Sequence, residues 1–154
     1  AKVSVLSNST FIDRPAVHDA LMKVDNNILK LDTVDAEYIS NVDRPTSPAY
    51  DVRKIIEGIR SFNGHAIIQT MFMKGTFVRR SSDGTPTTID VSNVDEKYVK
   101  PWLDAVRYIA PQEVMVYTID RETPDHDLRK ASHEELDAIR DRVIAMGIPC
   151  TASY

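Results

Sequence analysis

The sequence is poor in cysteine. Cys150 is the only one, so the chain can form neither an internal disulfide nor a metal site built from several thiolates. Long apolar runs are also missing, since none approaches the roughly 18 residues that cross a bilayer. Basic residues are not in excess, because 19 Lys and Arg face 23 Asp and Glu. We therefore expect no membrane association, a cytoplasmic location and no general affinity for nucleic acid.

Several motifs with a known chemistry are absent as well. Residues 7–12, at the end of the first predicted strand, hold no glycine, so the dinucleotide-binding fingerprint is missing, and no phosphate-binding loop occurs elsewhere. Neither Gly-x-Ser-x-Gly nor His-Glu-x-x-His is present, so hydrolase chemistry has no support. His126 lies between two aspartates, but no other histidine or cysteine has metal-ligand spacing to it. We predict no metal site.

What the sequence does contain is a regular alternation of strand and helix patterns over its 154 residues. The predicted strands cover residues 3–10, 26–32, 66–73, 113–120 and 148–154. The predicted helices run from Asp13 as N-cap to about residue 24, over 51–62, over 95–110, and from the capping box of Ser132 and Glu135 to Gly147. We predict a single domain, residues 1–154, with a core large enough to need no disulfide.

Two stretches lack apolar periodicity. Residues 33–50 contain Arg44-Pro45 and are predicted to be turns. Lys74 to Asn93 contains Gly75, Gly84 and other turn residues and is predicted to be a loop. At roughly twenty residues, such a loop is long enough to indicate function or mobility rather than plain connection.

Alternating strands and helices predict an α/β fold made of parallel βαβ units with right-handed crossovers. Five strands are too few to close an eight-stranded barrel. The sequence therefore leaves two architectures open, an open doubly wound sheet and a partial (β/α) barrel, which is an incomplete version of the TIM barrel. In either one, functional residues are expected at the carboxyl ends of the strands.

Polar side chains cluster toward the ends of the first four predicted strands. They are Ser7, Asn8 and Thr10; Lys30 and Asp32; Gln69 and Thr70; and Tyr117, Thr118, Asp120 and Arg121. Polar residues occur wherever a strand leaves the core, but four such ends together favour one shared rim. Lys30 and Asp32 are the most informative pair, because residues two apart in a strand point to the same face. A structural ion pair and a binding site for a polar ligand both fit them.

Two arginines are candidates for binding an anionic part of a substrate. Arg44 lies in Asn41-Val-Asp-Arg-Pro45, and its planar guanidinium is suited to a carboxylate or phosphate, with simple solvation at the surface as the alternative. Arg121 follows the fourth predicted strand and is assigned the same candidate role.

The order of these motifs resembles that of the radical S-adenosylmethionine superfamily, in particular its Fe-S oxidoreductase branch near the wybutosine-synthesis enzymes and, more distantly, the glycyl-radical activating enzymes. The matching segments are Leu6-Ser-Asn-Ser-Thr10, Leu29-Lys-Leu-Asp32, Asn41-Val-Asp-Arg-Pro45, Ile68-Gln-Thr-Met-Phe72 and Val116-Tyr-Thr-Ile-Asp-Arg121. The resemblance covers almost all of the chain. It implies a partial (β/α)₆ barrel in which three cysteines of a Cys-x-x-x-Cys-x-x-Cys loop hold a [4Fe-4S] cluster that cleaves S-adenosylmethionine to a 5'-deoxyadenosyl radical.

The same resemblance assigns roles to residues at the strand ends. Ser7 and Asn8 match a strand-end Ser/Thr-Asn position, and Lys30 and Asp32 match a strand whose polar residues approach the cofactor. It implies cofactor contacts for Gln69 and Tyr117 as well. Where Ser9 stands, the superfamily usually has Gly, which permits a closer approach of the backbone.

The superfamily's cysteine loop and its Gly-Gly-Glu segment are missing, and both belong upstream of Ala1 in the family order. Because the chain reads as a strand by Val3 and has no initiator Met, we expect it to be the C-terminal part of a barrel. S-adenosylmethionine and the cluster would then act in the intact parent enzyme, on a substrate that these residues do not identify, and this chain alone would hold no cluster and be inactive. The alternative is a complete, non-catalytic binding or assembly module. In both cases the uncovered barrel edge predicts a homo-oligomer.

Overall fold

The computed structural model describes residues 1–46, 50–121 and 127–154. The strands are β1 (Ser4–Ser7), β2 (Asn26–Lys30), β3 (Ile67–Met71), β4 (Met73–Arg80), β5 (Pro86–Asp90), β6 (Glu113–Tyr117), β7 (Leu128–Lys130) and β8 (Cys150–Ser153). The helices are α1 (Pro15–Met22), α2 (Ala36–Tyr38), α3 (Val52–Arg60), α4 (Glu96–Ile109) and α5 (His133–Ala145), and a π-helical segment at Ile39–Asp43 follows α2. None of the helices described is both long enough and apolar enough to cross a membrane.

Five of the strands form a parallel sheet in the order β1-β2-β3-β6-β8. This order follows the chain in one direction, whereas a doubly wound sheet reverses direction at a switch point. Right-handed crossovers that all advance the same way place their helices on one face of the sheet. The architecture is therefore the partial (β/α) barrel, and the doubly wound alternative is excluded.

The core lies between the helices and one face of this sheet. Leu29, Ile68 and Val114 are neighbours across three strands, and each is fully buried. The largest buried side chain is Trp102 of α4, whose indole meets the ring of Phe72 edge-on at a centroid distance of 5.3 Å. Since side chains alternate along a strand, the residues between these buried ones point to the opposite, inner face of the sheet.

The prediction of a loop from Lys74 to Asn93 is wrong. The segment forms a hairpin in which β4 pairs antiparallel with β5, and β7 pairs with the first part of β4 to complete a second, three-stranded sheet. The two glycines that suggested a loop lie within the hairpin itself. Gly84 (φ +85°) belongs to a tight turn closed by a hydrogen bond from the Ser81 amide to the Thr85 carbonyl, and Gly75 lies inside β4. β7 is too short and too polar to be found by periodicity.

Smaller differences concern the ends of elements. Asp13 does not cap α1; the N-cap is Arg14, without a side-chain hydrogen bond, and Pro15 opens the helix. The strands are shorter than predicted, and the turn-rich stretch 33–50 includes α2 and the π-helical segment. The capping box of Ser132 and Glu135 is present as predicted. His126 lies outside the described residues.

Candidate functional site

A cleft lies at the carboxyl ends of β1 and β2, on the inner face of the sheet. It has a volume of about 260 Å³. We call it the rim cleft; it is lined by Asn8, Thr10, Lys30, Leu31, Asp32, Thr33, Asp43, Pro45 and Tyr50. The strand pattern predicted that Lys30 and Asp32 share a face, and both side chains line this cleft.

The turn after β1 supports the rim cleft through Ser9, which is fully buried and has a positive φ of 68°. Its hydroxyl donates to the carbonyl of Lys30 (3.0 Å), and its amide donates to the Ser7 hydroxyl (3.1 Å). The amide of Thr10 in turn donates to the Asn8 side-chain oxygen (3.1 Å). Ser9 therefore occupies a left-handed conformation that glycine adopts without strain, and its side chain joins the ends of β1 and β2.

Asp32 is anchored by the neighbouring strand. Its carboxylate accepts a hydrogen bond from the amide of Met71 at 2.8 Å. Burial raises the pKa of Asp32 above the usual value for an aspartate, although the Met71 amide and the positive charge of Lys30 act in the opposite direction. One oxygen of the carboxylate is thus fixed by the hydrogen bond from Met71, and the group lies at the edge of a partly desolvated cleft.

Lys30 faces both acids and an aromatic ring. Its ammonium nitrogen lies 5.8 Å from the centroid of the Tyr117 ring. Burial lowers the pKa of Lys30, but the Tyr117 hydroxyl together with Asp32 and Asp43 outweighs that effect and raises the pKa. Lys30 is therefore a cation at physiological pH, and its single positive charge can neutralise only one of the two negative charges of Asp32 and Asp43.

Asp43 is a charged residue of the rim cleft that sequence analysis did not single out. It ends the π-helical segment, and π-helical turns occur frequently at functional sites. The start of this segment is fixed because the hydroxyl of Tyr38, itself buried, donates to the carbonyl of Val91 at 2.7 Å, and Arg79 of β4 donates to the carbonyl of Asn41. The Asn41-Val-Asp-Arg-Pro45 motif was the available signal, but it drew attention only to Arg44.

Desolvation and the nearby charge of Asp32 raise the pKa of Asp43 to about 6, despite the opposing charge of Lys30. The folded state then binds more protons than the unfolded state between the ordinary aspartate pKa of 3.8 and about 6, so this group makes stability fall as pH rises through that window. Asp43 lies at the open margin of the cleft and stays exposed to solvent, which screens the effect.

Replacing Asp43 with asparagine is therefore expected to stabilise the chain at neutral pH by about 1 kcal/mol, and the gain should vanish below about pH 4. Urea unfolding of both proteins across that pH range measures this difference. Asp104→Asn, on the exposed surface of α4, is the matched control and should show no such gain. A gain that is constant with pH would contradict the raised pKa.

Asn93 is a second residue that sequence analysis did not single out. It follows β5 and makes hydrogen bonds to the ends of β2 and β3 and to the start of β4. It is buried; its side-chain oxygen accepts from the amide of Met73 at 2.9 Å, and its side-chain nitrogen donates to the carbonyls of Met71 (2.9 Å) and Asp32 (3.3 Å). Asn93 therefore fixes the end of β2 relative to the step from β3 into β4.

The remaining predicted residues are distributed unevenly around the rim. Gln69 is the cross-strand neighbour of Lys30 and shares its face. Arg44 lines a different, adjacent cleft, and Arg121 is exposed beyond the end of β6, outside the rim cleft. Two other polar strand-end residues are structural: Thr70 donates to the carbonyl of Leu31, and Thr118 accepts from the amide of Ala131.

The described residues contain no group of histidine, cysteine and carboxylate side chains arranged to hold a metal ion. Cys150, at the start of β8, is buried, and this burial raises the pKa of its thiol to about 12. A neutral buried thiol is a poor metal ligand, because the thiolate is the form that binds.

Several solved structures share this fold. The chain has the fold of part of the barrel of radical S-adenosylmethionine enzymes, as the motif order predicted. It aligns over 99% of its length with a domain of pyruvate-formate lyase-activating enzyme from Bacteroides vulgatus, with a TM-score of 0.64 and 14% identity, and covers 82% of that domain.

Two longer proteins share the fold over part of their length. A radical SAM methyltransferase from Sphaerobacter thermophilus matches with a TM-score of 0.68 and 16% identity, and the chain covers 40% of it. SuiB from Streptococcus suis, solved bound to S-adenosylmethionine, matches with a TM-score of 0.62 and 12% identity over 33% of its length. At these identities the likeness establishes the fold, and the chain corresponds to a portion of the larger proteins.

Curated sequences add a more specific relative. A UPF0026 protein of Helicobacter pylori strain J99 is 35% identical over 78 residues, and the same protein of strain 26695 is 33% identical over 78 residues. The alignments include 48% of this chain, and the chain spans about a quarter of the length of these relatives. No protein-family profile matches the sequence.

Proposed function

We propose that this chain is the part of a radical S-adenosylmethionine Fe-S oxidoreductase that contacts the cofactor, and that it is inactive by itself. The observation that carries the proposal is the convergence of Asn8, Lys30 and Asp32 on one cleft at the carboxyl ends of parallel strands, in a chain with a partial radical SAM fold. In such a fold this edge of the sheet is where ligands bind.

The chemistry of the rim cleft suits S-adenosylmethionine. One ammonium group, two carboxylates and the amide of Asn8 offer partners of both signs for a ligand that carries hydroxyl, amino and carboxylate groups. At about 260 Å³ the cleft is slightly smaller than most small-molecule sites, which measure about 300–1,000 Å³. It would therefore hold one part of the cofactor, with Ser7, Gln69 and Tyr117 next to it.

The iron-sulfur cluster does not fit this chain. A [4Fe-4S] cluster needs several cysteine thiolates, and the sequence has only Cys150, which is buried. The one-electron chemistry that such a cluster supplies would have to come from another part of the parent enzyme. A single buried thiol is also compatible with the reducing cytoplasm, which we propose as the location.

Titration with S-adenosylmethionine, followed by calorimetry, tests the cofactor role. Lys30→Met and Asp32→Asn are each expected to weaken binding by about tenfold, because each removes a charge-assisted contact. Lys100→Met and Asp104→Asn are matched controls, since they make the same substitutions in a lysine and an aspartate on the exposed face of α4, away from the rim cleft. Equal binding by all four variants would contradict the assignment of the rim cleft.

Anaerobic reconstitution with iron and sulfide tests the claim of inactivity separately. We expect the purified chain to retain no stoichiometric iron and to show no cluster absorption, because one thiolate cannot hold the cluster. A stoichiometric [4Fe-4S] signal would overturn the proposal that the chain lacks a cluster site.

We also propose that the chain forms a homo-oligomer through the edge of the sheet at β1. Strand β1 pairs with β2 alone among the described strands, and Val3 and Leu6 beside that edge are 53% and 57% exposed. An unpaired strand edge with apolar side chains tends to pair with another chain. Light scattering should give a mass above 17.4 kDa, and Leu6→Lys should shift the protein toward monomer. A monomeric mass for the unmodified chain at micromolar concentration would count against this.

A further inference from the structure

A second cleft, larger than the rim cleft, opens between the π-helical segment and the start of α3. Its volume is about 700 Å³, within the range of about 300–1,000 Å³ that is usual for small-molecule sites. We call it the outer cleft; its lining includes Ile39, Arg44, Pro45, Tyr50, Asp51, Arg53 and Lys54.

The charged side chains of the outer cleft are mainly basic. Arg44, Arg53 and Lys54 provide three positive charges against the single carboxylate of Asp51, in a chain whose net charge is -4. The carboxylate of Asp51 is already engaged, because it accepts from the Arg53 amide at 2.9 Å and caps α3. The Arg53 guanidinium is only loosely paired with it, at 3.9 Å. The outer cleft is therefore locally positive, in contrast to the overall charge of the chain.

The backbone helps to present Arg44 at this cleft. Arg44 is the C-cap that follows the π-helical segment; it has a left-handed conformation (φ 46°), and its amide donates to the carbonyl of Ile39 at 2.9 Å. Ile39 is itself buried and lines the cleft. The guanidinium is thus attached to a fixed point of the fold rather than to a free chain end, and its planar group can bind two oxygens of one anion.

The outer cleft and the rim cleft are neighbours. Pro45 and Tyr50 line both of them. A single ligand, or two ligands in contact, could therefore place one group near Lys30 and Asp32 and another near Arg44.

We propose that the outer cleft binds an oxyanion group, a phosphate or a carboxylate, of the substrate whose reacting part lies toward the rim cleft. The link to a reacting substrate rests on the proposed function; the anion site itself does not. Arg44 and Arg53 are the main ligands, and Lys54 adds charge without fixed direction.

The test is a titration of the ¹⁵N-labelled chain with inorganic phosphate, and in a second arm with succinate, at constant ionic strength, followed by NMR. Saturable shifts are expected at the amides of Arg44, Arg53 and Lys54, and the arm with the tighter binding identifies the oxyanion. The double variant Arg44→Gln/Arg53→Gln should weaken binding at least about tenfold. Arg60→Gln is the matched control on the same helix, because Arg60 instead stacks on Tyr108.

The outcomes separate this inference from the proposed function. Chemical shifts that grow linearly with anion concentration, without saturation, would overturn the anion site. So would an equal loss of affinity in Arg60→Gln and in the Arg44→Gln/Arg53→Gln variant. Both results are independent of how S-adenosylmethionine behaves at the rim cleft. Saturable phosphate or succinate binding that depends on Arg44 and Arg53 supports it. If that binding occurs while the S-adenosylmethionine titration fails, the anion site stands and the proposed cofactor role does not.

Discussion

Replacing Trp102 with alanine is expected to lower the free energy of unfolding by about 3–5 kcal/mol, the largest effect of any core truncation in this chain. The indole is fully buried against Phe72, and its nitrogen donates to the carbonyl of Leu31 at 3.0 Å and to the hydroxyl of Thr70 at 3.1 Å. Truncation leaves a cavity and two buried oxygens with one hydrogen bond fewer.

Two further variants separate these causes. Trp102→Phe removes the hydrogen-bond donor but only a small part of the volume, so we expect a smaller loss of about 1–2 kcal/mol. Tyr108→Ala, an exposed aromatic on the same helix, is the control and should cost less than about 1 kcal/mol. Urea unfolding measures all three. A loss for Trp102→Ala no larger than that for Tyr108→Ala would show that the indole does not hold the sheet and α4 together.

Replacing Gly75 with alanine is expected to cost more than about 3 kcal/mol or to detach β7 from β4. Gly75 has a φ of +109°, and a Cβ atom there would lie 2.0 Å from the carbonyl oxygen of Asp127, which is backbone and cannot move aside. The amide of Gly75 also donates to the hydroxyl of Ser92 at 3.0 Å, so a displaced β4 loses that contact.

Gly84→Ala is the matched control for this substitution. Gly84 has a similar positive φ of +85°, but no atom lies within 4 Å of the position of its Cβ. Its replacement should therefore carry only conformational strain, about 1–2 kcal/mol. Comparing thermal unfolding of the two variants measures the steric part alone. Equal losses would contradict the close approach of β4 and β7.

The sequence predicted the parts of the site that depend on local pattern. Lys30 and Asp32 line the same cleft because side chains two residues apart in a strand point to the same face, and this alternation can be read from residues 26–32 alone. The hairpin of β4 and β5 was missed because Gly75 and the Ser81–Gly84 turn look like loop residues, and because the strands beside them are largely exposed and show no buried apolar run.

Asp43 and Asn93 could not be predicted, for a different reason. Each acts through contacts with segments distant in the chain: Asn93 bonds to Asp32 and Met71, and Asp43 reaches the rim because the π-helical segment is fixed to the hairpin. The Asn41-Val-Asp-Arg-Pro45 motif marks the neighbourhood of Asp43, but neither that motif nor the residues near Asn93 indicate which distant segments are contacted. Tertiary structure decides these contacts, and a single sequence carries no record of it.

The hydrogen bonds that shape the rim cleft join distant residues, and this has a consequence for folding. The bond from Trp102 to the carbonyl of Leu31 spans 71 positions, and the bond from Asn93 to the carbonyl of Asp32 spans 61. Contacts between such distant residues form only after long loops have closed, which is slow. The cleft should therefore be among the last features to appear as the chain folds. A shorter piece ending before α4 would contain Lys30, Asp32 and Asn93 but would lack Trp102, which donates to the carbonyl of Leu31 between the two charged residues.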